Sequence, residues 1–118
     1  MCNTLPMAND SLGLNTPLTA YLRTVGMRDT SIAQRLREDT FAKIEMHRMQ
    51  ISPEQGAFMA NLVRMTGTKR ILEIGTFTGY SALWMASALP EDGEFTSCDM
   101  HQCKHVCKHF QYVSLTCD

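Results

Sequence analysis

No apolar run in these 118 residues approaches the length that crosses a lipid bilayer, so a helical membrane protein is not expected. An excess of charge of one sign is also lacking: 11 basic side chains against 12 acidic ones leave a formal net charge of −1. That balance speaks against nucleic acid or an anionic membrane as an electrostatic partner. The first ten residues, MCNTLPMAND, have neither a basic start nor an apolar core, so no signal peptide is expected and a cytoplasmic location follows. There the five cysteines are expected as thiols, and their odd number argues against a complete disulfide framework. Internal repeats and low-complexity tracts are missing too. What remains, 44% hydrophobic and 19% charged, has the proportions of one small folded domain.

The chain is organised around residues 71–81, ILEIGTFTGYS. Two isoleucines and a leucine predict a short buried strand, Gly75 and Gly79 bracket a tight turn, and YSALWMASAL predicts a helix over residues 80–89. Strand, glycine turn and helix in that order open a nucleotide-type βαβ unit. A dinucleotide fingerprint needs G-x-G-x-x-G, but Phe77 stands where the middle glycine belongs; a Walker A loop fails because no Gly-Lys-Ser/Thr follows. Glu73, two residues before the first glycine, would repel a pyrophosphate and hold a positively charged ligand. S-adenosylmethionine, with its ammonium and sulfonium groups, suits that carboxylate better than NAD. A second strand, EFTSC over residues 94–98, ends at Asp99, where an acid can accept ribose hydroxyls.

These motifs, within MQISPEQGAFMANLVRMTGTKRILEIGTFTGYSALWMASALPEDGEFTSCD, resemble the cofactor-binding half of a small-molecule O-methyltransferase of the caffeoyl-CoA or catechol type. The likeness runs from about residue 49 to 99, is looser across residues 5–40, and stops at Met100. It implies an α/β fold: a truncated Rossmann-like methyltransferase domain with N-terminal helices and an incomplete parallel sheet of two strands. It also implies S-adenosylmethionine as cofactor, a small hydroxyl-bearing acceptor, and a divalent metal such as magnesium. Carried over residue by residue, Glu73 meets the methionine ammonium, the backbone of Gly75, Thr76 and Phe77 lines the cofactor, and Asp99 takes the ribose. Ser81, opening the helix, lies near the ligand carboxylate. Ile51, just before the Ser-x-x-Gln turn, lies against the cofactor. The metal ligands and the catalytic base fall in the family beyond the point of departure, so no residue here is assigned to either role. Turnover by this chain alone is therefore not expected. The alternative is a non-catalytic short form that pairs with a full-length subunit or with itself.

Residues 1–15 predict an irregular arm, residues 16–99 the partial methyltransferase domain, and residues 100–118 a divergent tail. A first helix is expected from Thr16 as N-cap, with Pro17 in its first turn, to Gly26. A second is expected over residues 30–45, with Ile32, Leu36, Phe41 and Ile44 inward and Arg35, Arg37 and Glu38 solvated. Ser52 and Pro53 begin a third, with Gln55 at the capping-box position, Phe58, Leu62 and Met65 on its apolar side, and Gly67 at its end. Met46, Met49, Met59 and Met65 are expected as packing residues. His47 is weighed as a site residue and assigned to a solvated linker, since no acid is fixed beside it.

The tail carries three of the four histidines and three of the five cysteines. His101, Cys103, His105, Cys107 and His109 recur every second residue, but a tetrahedral zinc site needs a second converging pair, and only Cys117 follows. No built metal site is expected there.

Overall fold

The computed structural model describes residues 14–100 and 110–116. Helix α1 (Thr16–Gly26) starts one residue earlier than the spacing predicts: Asn15, not Thr16, is the N-cap, its side chain accepting from the Leu18 N–H. Thr30 caps α2 (Ser31–Lys43) through the Ala33 N–H. A single 3₁₀ turn over His47–Met49 leads to Ser52, which accepts from the Gln55 N–H, as expected, and opens α3 (Pro53–Thr66). Gly67 ends α3 in the left-handed region, φ 62°, where a side chain is disfavoured. Strand β1 (Arg70–Ile74), helix α4 (Tyr80–Ala86) and strand β2 (Glu94–Met100) form the expected parallel crossover, with α4 shorter than its apolar run suggests.

A third strand, β3 (Phe110–Thr116), pairs antiparallel with β2, so the sheet has the order β1-β2-β3 rather than two strands. The tail thus supplies a strand over FQYVSLT, a run of aromatic and β-branched residues that its reading as a divergent tail leaves unassigned. The histidine and cysteine spacing over residues 101–109, and Cys117, lie outside the described residues.

Alternation along the strands decides what the sheet shows to each side. Ile71 and Glu73 face the helices and stand opposite Phe95 and Ser97 of β2. Phe95 is fully buried and, with Val63, Ala82 and Met85, forms the core. Leu72 and Ile74 point the other way and are 65% and 82% exposed. Beside β1, an open groove of about 350 Å³ runs between α3 and the strand, lined by Met59, Leu62, Ile71, Leu72 and Met85 among others.

The helices bury different residues from those the periodicity selects. In α3, Phe58, Leu62 and Met65 are exposed, while Gly56, Ala60 and Val63 pack inward. The reason is the close approach of α4, whose Trp84 ring lies where a Cβ on Gly56 would fall, 2.5 Å from Cδ1. In α2, Ala33 and Thr40 are buried and Leu36 and Phe41 partly so, while Ile32 and, at the C-cap, Ile44 are exposed. Arg37 is not on the solvated face; it pairs with Asp29 at 2.8 Å, partly buried. Met46, Met49 and Met65 are exposed, leaving Met59 as the packing methionine of the four.

Helix α1 is tied to α3 by an ion pair between Arg23 and Glu54, whose side chains are 27% and 21% exposed. Burial raises the Glu54 carboxyl, but hydrogen bonds from Arg23, its own backbone and Ser52 together outweigh it and hold the group below its ordinary 4.5. A carboxyl depressed in the folded chain adds stability above its unfolded value and loses it as pH falls through the folded one. Asp29 runs opposite: burial outweighs the Arg37 charge and raises its carboxyl, so protonation on acidification relieves a cost. The parent is therefore expected to lose thermal stability below about pH 4.5 more steeply than an Arg23→Met variant, which lacks the partner that makes Glu54 acid-sensitive. Melting midpoints from pH 7 to pH 3 check this; parallel curves would remove the pair as a source of acid lability.

Candidate functional site

The parallel register places the carboxyl ends of β1 and β2 side by side, Glu73 opposite Ser97 and Ile74 opposite Cys98. Open α/β sheets bind ligands beyond such strand ends. Here β1 leaves the sheet through a turn of three left-handed residues: Gly75 at φ 93°, Phe77 at φ 54° and Gly79 at φ 84°. Neither glycine has another atom within 4 Å of the place a Cβ would take, so the turn is open above both. Phe77 is the only non-glycine with positive φ among the described residues, a backbone state that costs about 1–3 kcal/mol and persists where its surroundings enforce it.

Two hydrogen bonds on the β2 side do the enforcing. The Gly75 N–H donates to the Cys98 carbonyl at 2.7 Å, and the Phe77 N–H donates to Asp99 Oδ2 at 2.6 Å. The second is charge-assisted and correspondingly strong. Asp99 Oδ1 accepts no hydrogen bond among the described residues.

Glu73 is half-buried and held at both oxygens. Ser81, in the first turn of α4, donates to Oε1, and Ser97 donates to Oε2 at 2.7 Å. Thr76 lies within hydrogen-bonding reach of the Ser97 hydroxyl. A serine has one hydrogen to give, and that of Ser97 goes to Glu73, so Thr76 is the donor to Ser97. The chain therefore runs one way, from Thr76 to Ser97 to Glu73, with the carboxyl group as the final acceptor. No lysine, arginine or histidine pairs with it among the described residues.

The structure brings Glu73, Gly75, Thr76, Phe77, Ser81 and Asp99 into one region at the strand ends. Ile51, partly buried, sits in the link before α3, next to Gln50. Gln50 is itself buried, and its amide donates to Thr78 of the turn at 3.0 Å. Ser97 and Gln50 escape a reading of the sequence by motif. Ser97 becomes visible only when the two strands are written in parallel register, which sets it against Glu73. His47 packs edge-on against Phe41, centroids 4.8 Å apart, its Nδ1 3.2 Å from the Ile44 carbonyl, and takes no part.

Among the described residues, no group of three histidine, cysteine, aspartate or glutamate side chains converges in a way that could hold a metal. The described residues therefore do not fit the metal that the resemblance implies.

Comparison with known proteins agrees with the geometry. A family model described as O-methyltransferase matches residues 23–112. The chain is 40% identical to catechol O-methyltransferase domain-containing protein 1 of Mus musculus over 86 residues, which are 73% of this chain and 32% of that protein. It is 45% identical to the caffeoyl-CoA O-methyltransferase of Populus kitakamiensis over 65 residues, 54% of this chain and 28% of that one. Among solved structures it is similar to the O-methyltransferase TomG from Streptomyces achromogenes in complex with SAM, with a TM-score of 0.61 and 31% identity. That match covers 66% of this chain and 34% of TomG. The SAH-bound methyltransferase PaMTH1 of Podospora anserina gives a TM-score of 0.65 at 26% identity, covering 75% of this chain and 40% of its own. The chain spans about a third of the length of the curated relatives it matches. With the family model covering residues 23–112 and the strand–turn–helix in place, the chain belongs to the O-methyltransferase family.

Proposed function

We propose that this chain binds S-adenosylmethionine at the ends of β1 and β2, as the cofactor-holding part of an O-methyltransferase acting on small catechol-like or caffeoyl-CoA-like hydroxyl acceptors. The observation that carries the reading is Glu73: a half-buried carboxylate bonded only by hydroxyls, beside an open glycine turn, with no cation paired to it among the described residues. An ammonium group there supplies the missing counter-charge. Asp99 Oδ1, which accepts no hydrogen bond among the described residues, suits a ribose hydroxyl as donor, while Oδ2 stays on the turn. Backbone at Gly75, Thr76 and Phe77 lines the ligand, Ser81 fixes the Glu73 carboxylate from α4, and Ile51 offers an apolar contact from the link before α3. When bound, S-adenosylmethionine supplies an electrophilic methyl group on sulfur. These residues hold the donor in one orientation, the positional part of a displacement whose acceptor must lie in line.

Calorimetric titration with S-adenosylhomocysteine tests the reading. A saturable curve with one site per chain is expected; a flat one, from protein shown to be folded, sinks it.

A second reading, the non-catalytic form that pairs with a full-length subunit or with itself, is supported by the exposed Leu72 and Ile74 face and the groove along β1. Sedimentation of the chain alone and mixed with a full-length relative separates the two: if the chain sediments as a monomer in both, independently of the relative's own boundary, this reading is removed.

A further inference from the structure

We propose that Gln50 is a positioning residue of this site, holding the glycine turn in its ligand-ready shape by tying Thr78 to helix α2. The inference rests on the cofactor reading above and names the element that shapes the site from the helical side. Gln50 is 7% exposed and lies outside every motif that marks the chain. Its Nε2 donates one hydrogen to Thr40 Oγ1 at 3.0 Å and the other to Thr78 Oγ1 at 3.0 Å. Both hydrogens of the amide are thereby used, on partners 10 and 28 residues away. Thr40 is itself 2% exposed and fixed in α2, so it is an anchor rather than a second mobile end.

Thr78 is the other end, and its place in the chain gives the bond its consequence. It stands between Phe77 and Gly79, both left-handed. Among the described residues the Gly79 N–H closes the turn on the Thr76 carbonyl, at 2.9 Å; the other hydrogen bonds that shape it, from Gly75, Thr76 and Phe77, go to the β2 side. Gln50 is the side-chain tie from the opposite side among the described residues. A turn with Phe77 held left-handed keeps that state only while it is restrained from outside. Without Gln50 the β2 bonds still hold Phe77 through its N–H, but the Thr78 end loses its tie to the helical side, so the left-handed turn is restrained from one side only and opens more often.

A buried, satisfied glutamine could also be no more than packing, so the test reads the turn as well as stability. In Gln50→Met, of similar length and unable to donate, affinity for S-adenosylhomocysteine is expected to fall about tenfold, and the Phe77 and Gly79 amides to exchange faster by NMR. Thr40→Val is expected to reproduce both effects, although Thr40 belongs to a different helix, because it removes the anchor. Gln50→Met combined with Thr78→Val should be no worse than either alone. Arg23→Met, which loosens α1 from α3, should lower the melting midpoint with affinity and both amides unchanged. Unaltered exchange at Phe77 and Gly79 in the folded Gln50→Met and Thr40→Val proteins overturns the proposal. So does an affinity loss in Arg23→Met equal to theirs at the same melting midpoint. If the parent binds no S-adenosylhomocysteine, the cofactor reading fails, and the exchange rates of the two amides still decide the role of Gln50.

Discussion

Glu73→Gln is expected to weaken S-adenosylhomocysteine binding by at least about tenfold while leaving most of the fold intact. Hydrogen bonds to charged groups contribute roughly 1.5–3 kcal/mol, and each 1.4 kcal/mol is about tenfold in affinity. Glutamine keeps one oxygen for Ser81 or Ser97 but has no charge to offer an ammonium. Alanine at the same position removes the acceptor of both serine hydroxyls as well, so Glu73→Ala should lose the same affinity and additional stability. The two variants thus separate charge from hydrogen bonding, with binding by calorimetry and stability by thermal melting. Asp99→Ala should weaken binding too, and it also releases the Phe77 N–H. Should Glu73→Gln and Asp99→Ala both bind like the parent, the ligand lies elsewhere.

The second large effect is structural. Ala is a better helix former than Gly by about 1 kcal/mol in a helix interior, so Gly56→Ala in the first turn of α3 would, if anything, favour an isolated helix. In this fold the new methyl would lie 2.5 Å, 2.6 Å and 2.8 Å from Cδ1, Nε1 and Cγ of Trp84, near the root of the ring where it cannot swing aside. Overpacking of that kind costs about 1–3 kcal/mol, and a domain of this size drops roughly 4–8 °C for each kcal/mol. Gly56→Ala is therefore expected to lower the melting midpoint by several degrees. In a Trp84→Ala background the obstacle is gone and the same substitution should raise it. A lowering in both backgrounds would place the cost outside the α3–α4 contact.

Much of this arrangement is legible in the residues. The start of α3 follows from Ser52 and Pro53, its end from Gly67, and the strand–turn–helix from two isoleucines and two glycines at fixed spacing, because each is decided by neighbours a few residues away. What escapes local reading is decided across the chain. The inward face of α3 is set by the bulk of Trp84, which selects Gly56 and Ala60 and turns Phe58 and Leu62 outward, against their hydrophobicity. Strand β3 has strand-forming residues in FQYVSLT, but its place beside β2 follows only from pairing across the chain. In the site, the acids Glu73 and Asp99 stand out by type and position. Ser81 follows from the motif, but the other hydroxyl on Glu73 and the amide on the turn come from Ser97 and Gln50, each polar, common and unmarked until the strands and helices are assembled.

The uncovered side of the sheet also bears on how stable the chain is. Leu72 and Ile74 stand in water on a strand with a free edge, and the groove beside them is apolar. Any species that covers them, whether a second copy or another strand, binds the folded chain and has no counterpart on the unfolded one. By mass action its concentration then enters the folding equilibrium directly, each tenfold excess over its dissociation constant adding about 1.4 kcal/mol. Where that species is a second copy, dilution acts as a denaturant, and the melting temperature becomes a property of the solution as well as of the chain.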